Sequence, residues 1–253
     1  MPLRPDSPDS LADRQPRAFA TTHWSMVVRA GQIGTPDGRA ALGQLCRIYW
    51  YPLYWFARRR GQTPHDAEDL TQGFFTELLE RGAIARADAT RGRFRTFLLT
   101  SFQNFQSNER AKAGSLKRGG GHEIVPLDAI QVAETRFQSE TTATDLSQEK
   151  NFDKKWALSL LDAVLELLRR EYTAAGKQAW FDELKVVLWG GRGEVSYAEI
   201  ARRVSSTEGA IKVAVHRLRQ RFRECLREEV AKTVLNPDEV EDEMRHLLAA
   251  VSL

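Results

Sequence analysis

The sequence predicts an all-α protein of two helical domains joined by a flexible linker, the second containing a helix-turn-helix. Three observations predict it. Apolar residues recur at three- and four-residue steps through most of the 253 residues, and no alternating strand pattern of useful length appears. Residues 114–150 break that periodicity with GSLKRGGGHE and then Ser, Thr, Gln and Glu, the composition of a linker. Residues 193–229 contain two capped helical patterns separated by a short turn.

The chain divides accordingly into a disordered tail (1–20), a first helical domain (21–113), the linker (114–150), a second domain (151–235) and a C-terminal amphipathic helix (236–253). The tail has too few apolar residues to offset the entropy of ordering. A short helix is expected over 22–30, a turn over 31–38, and a long helix over 39–60. Leu42, Leu45, Ile48, Tyr49, Leu53 and Phe56 form its inner stripe, and Pro52 is expected to kink or divide it. Thr63 caps the next helix, Pro64 suits its first position, and Asp66 favours the positive end of the dipole. Between positions 64 and 80 there are five acids and no Lys or Arg. Asp66, Glu68 and Asp69 have metal-donor chemistry, but a solvated acidic helix start accounts for the same residues, and no metal is expected.

A Gly-, Ala- and Arg-rich loop over 81–93 leads to a helix over 94–112, with Phe94, Phe97, Leu98, Phe102 and Phe105 at helical spacing. From 91 to 118 seven basic residues stand against one acid, Glu109. Aromatics beside cations suit single-strand stacking, but most of these rings are expected in the core. Amphipathic helices follow over 152–172 and 179–189. The C-terminal stripe is Val240, Met244, Leu247, Leu248 and Val251, which either packs on its own domain, docks a partner or masks DNA-binding residues.

In the 193–229 stretch, Ser196 and Glu199 make an S-x-x-E capping box and Thr207 caps a second helix. Ile211, Ala214, Val215, Leu218 and Phe222 form its apolar stripe, opposite Lys212, His216, Arg217 and Gln220. From 211 to 223 there are five basic residues and no acid. Such a face attracts phosphates and can present Arg or Lys to guanine edges, although an α-hairpin with a solvated basic face has the same pattern. Net charge is only +3, so the positive character is local.

The stretch SYAEIARRVSSTEGAIKVAVHRLRQRFRE resembles the promoter-binding helix-turn-helix of bacterial extracytoplasmic-function (ECF) sigma factors, with Ser205 where that family usually has Gly. HDAEDLTQGFFTELLERG is similar to the family's polymerase-contacting helix, usually D-A-E-D-L-V-Q-E-x-F, with Gly73 replacing an acid. GRFRTFLLTSFQNFQSNERAKA is similar to the segment that follows there, with Phe97 where Trp is common and Asn104 matching. The resemblance covers about 21–112 and 152–229, and the first helical part of the second domain is longer than in the family.

The resemblance implies a sigma factor that binds core RNA polymerase and directs promoter-specific initiation. Polymerase would be met by Asp66, Asp69, Gln72 and Glu77. Melted promoter strand would be held by Arg91, Arg93, Arg95, Asn104, Arg110 and Lys112. Base edges would be read by Lys212, His216, Arg217 and Gln220, with Arg202, Arg203, Arg219 and Arg221 on phosphates. The expected partners are core polymerase, promoter DNA and an anti-sigma or other regulatory protein, and no cofactor is needed. The alternative is a DNA-binding regulator that never joins polymerase.

Enzyme chemistry has no positive support. The five histidines are isolated, no G-x-S-x-G or zinc spacing occurs, and the glycine run of the linker lacks the Gly-Lys-Ser/Thr of a phosphate loop. Cys46 and Cys225 lack metal or redox spacing and are expected as reduced, buried thiols. No apolar run approaches membrane-spanning length and the first residues do not form a signal peptide, so a cytoplasmic protein is expected.

Overall fold

The computed structural model describes residues 30, 35–80, 94–113, 127–140, 147–189, 195–234 and 238–252. Among these, every regular element is a helix. The expectations for the tail over 1–20, the first part of the turn (31–34) and the loop over 81–93 lie outside the described residues, as does the short helix over 22–30 apart from buried, helical Ala30; the rest of the turn expected over 31–38 is instead the capped start of a helix, at Pro36.

Helix α1 (Pro36–Arg59) is the axis of the first part of the molecule. Thr35 starts it, its hydroxyl oxygen accepting the Gly38 N–H at 3.0 Å. It runs unbroken through Pro52, where a proline costs about 3 kcal/mol in an unsupported helix interior. The support is burial on every side. From Leu45 to Ala57 only Arg47 is exposed, and a helix that is apolar all round belongs inside a core. The expected stripe is one of two buried faces. Trp50, Tyr51, Tyr54 and Trp55 make the other.

That second face is covered by α4 (Leu127–Ser139), a helix inside the segment expected to be a flexible linker. The expected linker over 114–150 thus contains a helix, and the physical reason is the aromatic surface of α1. Phe137 meets Trp55 edge-on with centroids 6.4 Å apart, and Arg58 lies 4.6 Å over the Phe137 ring. Arg58 pairs with Glu134 at 2.8 Å, and its guanidinium holds the Glu134 carboxyl below the ordinary carboxylate range. The Tyr54 hydroxyl donates to the same carboxylate.

Helix α2 (Pro64–Glu80) begins at Thr63, whose oxygen accepts the Asp66 N–H at 3.1 Å while its hydroxyl donates to the Asp66 carboxylate at 2.8 Å. Ala67, Phe74, Phe75 and Leu78 are buried against α1 and against α3 (Phe94–Ala113). Gly73 lies under an aromatic ring. A Cβ there would stand 3.4 Å from Phe105 Cζ, an ordinary van der Waals contact.

Helix α5 (Gln148–Ala174) starts earlier than expected, at Ser147, and packs along α1. Phe56 and Phe152 meet edge-on at 6.5 Å, and Trp156 is fully buried. Its far end turns at Gly176, whose φ of +69° brings the Lys177 N–H back to the Tyr172 carbonyl at 2.8 Å. There α6 (Gln178–Leu184) and a 3-10 turn (Lys185–Val187) lead to α7 (Tyr197–Arg203) and α8 (Glu208–Ala231).

The last helix, α9 (Glu239–Val251), packs on α5 and α8. Val240, Glu243, Leu247 and Ala250 are its buried residues, whereas Leu248 of the expected stripe is exposed. Both cysteines are free and buried, and burial pushes the Cys46 thiol up to about 12.

Candidate nucleic-acid interface

The α7–α8 pair is defined by its caps. The Ser196 hydroxyl oxygen accepts the Glu199 N–H at 3.2 Å. The Glu199 carboxylate does not complete the expected box; it accepts from Arg203 at 2.6 Å. Between the helices Ser205 has φ +52°, the left-handed conformation expected where glycine is common. The bend lets the Ser206 N–H reach the Ala201 carbonyl at 2.8 Å. A non-glycine residue there carries a strain of about 1 kcal/mol. Thr207 then accepts the Ala210 N–H at 3.2 Å and α8 begins.

Ile211, Val215, Leu218 and Phe222 are buried beneath α8, joined by Ile200 and Ala201 of α7. The opposite face exposes Lys212, His216, Arg217, Gln220 and Arg223. His216, Arg219, Gln220 and Arg223 line a shallow recess of about 330 Å³ on it. Arg217 stands instead at the rim of a groove of about 610 Å³, with Tyr172, Trp180 and Val213 among its walls.

The cations of this region differ in what already holds them. Lys212 pairs with Glu208 at 2.8 Å, and Gln220 donates to Glu224 at 3.2 Å. Arg203 pairs with Glu199 and with Glu183 at 3.1 Å, and these carboxylates raise its pKa. Arg221 meets both oxygens of Glu171, at 2.7 and 3.2 Å, with Glu224 and Glu228 each at 3.5 Å. Arg219 donates to the backbone carbonyls of Val187 at 2.7 Å and Leu188 at 3.0 Å.

The two arginines expected on phosphates, Arg219 and Arg221, already have partners within the fold. The first guanidinium satisfies carbonyls at the end of the 3-10 turn, and the second ties α8 to α5. Exposed pairs such as Lys212–Glu208 exchange cheaply for another anion. Among the described residues, Arg202, Arg217 and Arg223 are exposed, and their side chains make no hydrogen bond or ion pair.

Arg223 is missing from the sequence-derived set although its signal is present, since it lies seven residues after His216 on the same helical face. Trp189 has no such signal. It reads as the end of an amphipathic helix, yet it is 59% exposed, resting edge-on against Phe222 at 5.1 Å beside the Arg219-bound carbonyl of Leu188.

Arg219→Ala is expected to lower stability by about 1–3 kcal/mol, because two backbone carbonyls lose a charged donor. Thermal unfolding of the purified variant checks this. A variant as stable as wild type but weaker on all DNA would restore the phosphate role.

The strand-binding set of the first domain is dispersed. Arg91 and Arg93 lie outside the described residues, as does the side chain of Lys112; Asn104 and Arg110 are exposed on α3. Arg95 is corrected outright, being 3% exposed. Its guanidinium pairs with Asp153 of α5 at 2.9 Å and with Glu243 of α9, and lies 4.6 Å over the Trp156 ring. A buried cation with two carboxylates is not available to a nucleic-acid strand.

On α2, Asp66 is held by Thr63, and Gln72 donates to Glu68 at 3.1 Å. Glu77 is half-buried. Asp69 is exposed, its side chain 69% accessible and 3.2 Å from His65 Nδ1.

Residues 49–114 match the family model of Sigma-70 region 2. The span runs from the middle of α1 through α2 and α3, the helices that carry these acids, Asn104 and Arg110. The match supports a sigma-70 family factor, with a part in RNA polymerase binding and promoter recognition. No curated protein and no solved structure matches. Among the described residues no helix is long and apolar enough to cross a membrane.

Proposed function

We propose that the protein is an ECF sigma factor working in the cytoplasm. It joins core RNA polymerase through the acidic outer side of α2, engages melted promoter strand near Asn104 and Arg110 of α3, and reads duplex promoter DNA with α8 as the recognition helix of a helix-turn-helix. The observation that carries this reading is the order of two features in one chain. A span matching Sigma-70 region 2 precedes a capped helix pair whose outer face holds exposed cations.

Within α8, Lys212, His216, Arg217 and Gln220 face outward for base edges, Lys212 exchanging Glu208 for DNA and Gln220 exchanging Glu224. Arg202 and Arg223 serve phosphates. Each phosphate contact releases counterions, so these cations set salt dependence, and base-edge contacts set sequence preference.

The deciding experiment is reconstituted transcription with purified core polymerase on DNA from the same source, beside co-elution with core. Binding to core and promoter-dependent initiation support the reading. Sequence-specific duplex binding with no core association replaces it with a helix-turn-helix regulator.

Two substitutions separate the roles on α8. Arg217→Ala is expected to relax preference at one promoter position, costing about 1–3 kcal/mol of discrimination if the contact is bidentate to guanine. Arg223→Ala is expected to weaken all sequences alike and to reduce the salt slope by about 1. Binding isotherms on specific and random duplexes at several salt concentrations measure both. Equal losses on both duplexes for Arg217→Ala would remove it from base reading.

A further inference from the structure

We propose that the groove between α5, α6 and α8 is a binding site for an aromatic carboxylate, and that the bound carboxylate takes Arg217 away from duplex DNA. The second half of this proposal rests on the reading of α8 as a recognition helix; the site itself stands on the groove alone.

The groove has the size and the walls of a small-molecule site. Its volume of about 610 Å³ lies within the roughly 300–1,000 Å³ usual for such pockets, which are mainly apolar with a few placed polar groups. One wall is α8, where Gly209, Ala210 and Ala214 are small and Val213 is 51% exposed. A Cβ at Gly209 would meet open space. The other wall has two half-buried rings, Tyr172 of α5 and Trp180 of α6. Tyr172 is fixed by Phe181, whose centroid is 5.6 Å from its own. Half-covered aromatic rings facing small apolar residues suit a flat ring system, which can stack or meet them edge-on.

The polar groups decide the charge of the ligand. The side chains of Lys177, Arg217, Tyr172 and Trp180 make no hydrogen bond or ion pair within the fold. All four are donors, and the ammonium, guanidinium and indole N–H have no capacity to accept. Burial, with the Glu171 charge as the lesser cause, raises the pKa of the Tyr172 phenol above its usual range, so it keeps its proton. The one carboxylate of the groove, Glu171, is already engaged through both oxygens by Arg221. The groove therefore offers donors and two positive charges, and no free carboxylate. An amine would find no anion to pair with. A carboxylate would meet Lys177 and the fork of Arg217, which can hold both of its oxygens.

Arg217 links this site to DNA. Its guanidinium stands at the groove rim and is also the proposed reader of a base edge. Two parallel N–H groups engaged by a carboxylate are not free for guanine O6 and N7, which need the same fork. The ligand and the preferred duplex sequence then compete, and each lowers the affinity of the other by the same factor. Random duplex, held through phosphates, depends less on this one side chain.

Calorimetry on the full chain tests the site, with 2-naphthoate as the probe and 2-naphthamide as a neutral body of the same shape. Each chain is expected to bind a single 2-naphthoate, roughly tenfold or more tighter than the amide. Lys177→Gln is expected to lose most of that difference and Lys177→Arg to keep it, both with wild-type thermal unfolding. Val213→Glu, which sets a like charge on the wall, is expected to abolish binding. Saturating 2-naphthoate is then expected to weaken binding of a duplex selected from a random library roughly tenfold, and to leave the binding of Arg217→Ala to that duplex unchanged. No binding of 2-naphthoate, equal affinity for acid and amide, or wild-type affinity in Lys177→Gln or Val213→Glu would overturn the site. Binding of 2-naphthoate with no loss of duplex affinity would overturn the competition. A chain that binds 2-naphthoate but prefers no duplex sequence would sink the recognition-helix reading and the competition with it, while the calorimetry upholds the site.

Discussion

Replacing Arg95 by alanine is expected to destabilise the protein by about 3–5 kcal/mol, the cost of removing one partner from a buried ion pair. The Glu243 side chain is 6% exposed and would be left inside without its guanidinium, while Trp156 would lose the cation over its ring. Surface substitutions away from such features stay within about 0.5 kcal/mol, so the two cases are well separated. Urea unfolding of the single and double variants decides between them. Arg95→Ala with Glu243→Ala should recover part of the loss, because the second change removes the buried carboxylate that the guanidinium had faced. A stable Arg95→Ala that fails only in strand capture would mean that Arg95 belongs to the nucleic-acid interface after all.

Asp69→Lys is expected to abolish core-polymerase binding and promoter-dependent transcription while leaving the fold intact. Asp69 is exposed and its described partner is His65, whose pKa is raised first by its own backbone and then by Asp69. Losing one exposed pair changes stability by about half a kcal/mol. At an interface the reversal opposes the basic group that the aspartate meets, which slows association and costs affinity. Co-elution with core enzyme, run beside circular dichroism and duplex DNA binding, measures each part. A variant that still binds core as wild type does would remove Asp69 from the polymerase surface, and loss of helicity would reassign it to the fold.

Several features were legible because their causes lie within a few residues. The oxygens of Thr63, Ser196 and Thr207 each accept an N–H three positions on. The stripe Ile211, Val215, Leu218 and Phe222 follows from the helical repeat, as does the outward row opposite it. The positive φ of Ser205 was implied by the resemblance, in which that turn position usually holds Gly. The match over 49–114 agrees with the resemblance of its motifs.

What the sequence by itself determined is therefore the helical class, the caps and apolar stripes, and the local chemistry of the α7–α8 pair. The tertiary structure decided which charged residues remained outside. Arg95 meets carboxylates 58 and 148 positions away. Arg221 meets Glu171 at a separation of 50 positions, and Arg219 meets carbonyls 31 and 32 positions before it. The helix in the expected linker was hidden for the same reason, since Leu127–Ser139 lies between glycine-rich and polar stretches and its cover, the second aromatic face of α1, is distant in sequence. Periodicity and capping depend on neighbours along the chain, which the sequence states directly. Burial of a charge depends on what packs over it from elsewhere, and only the assembled core settles that.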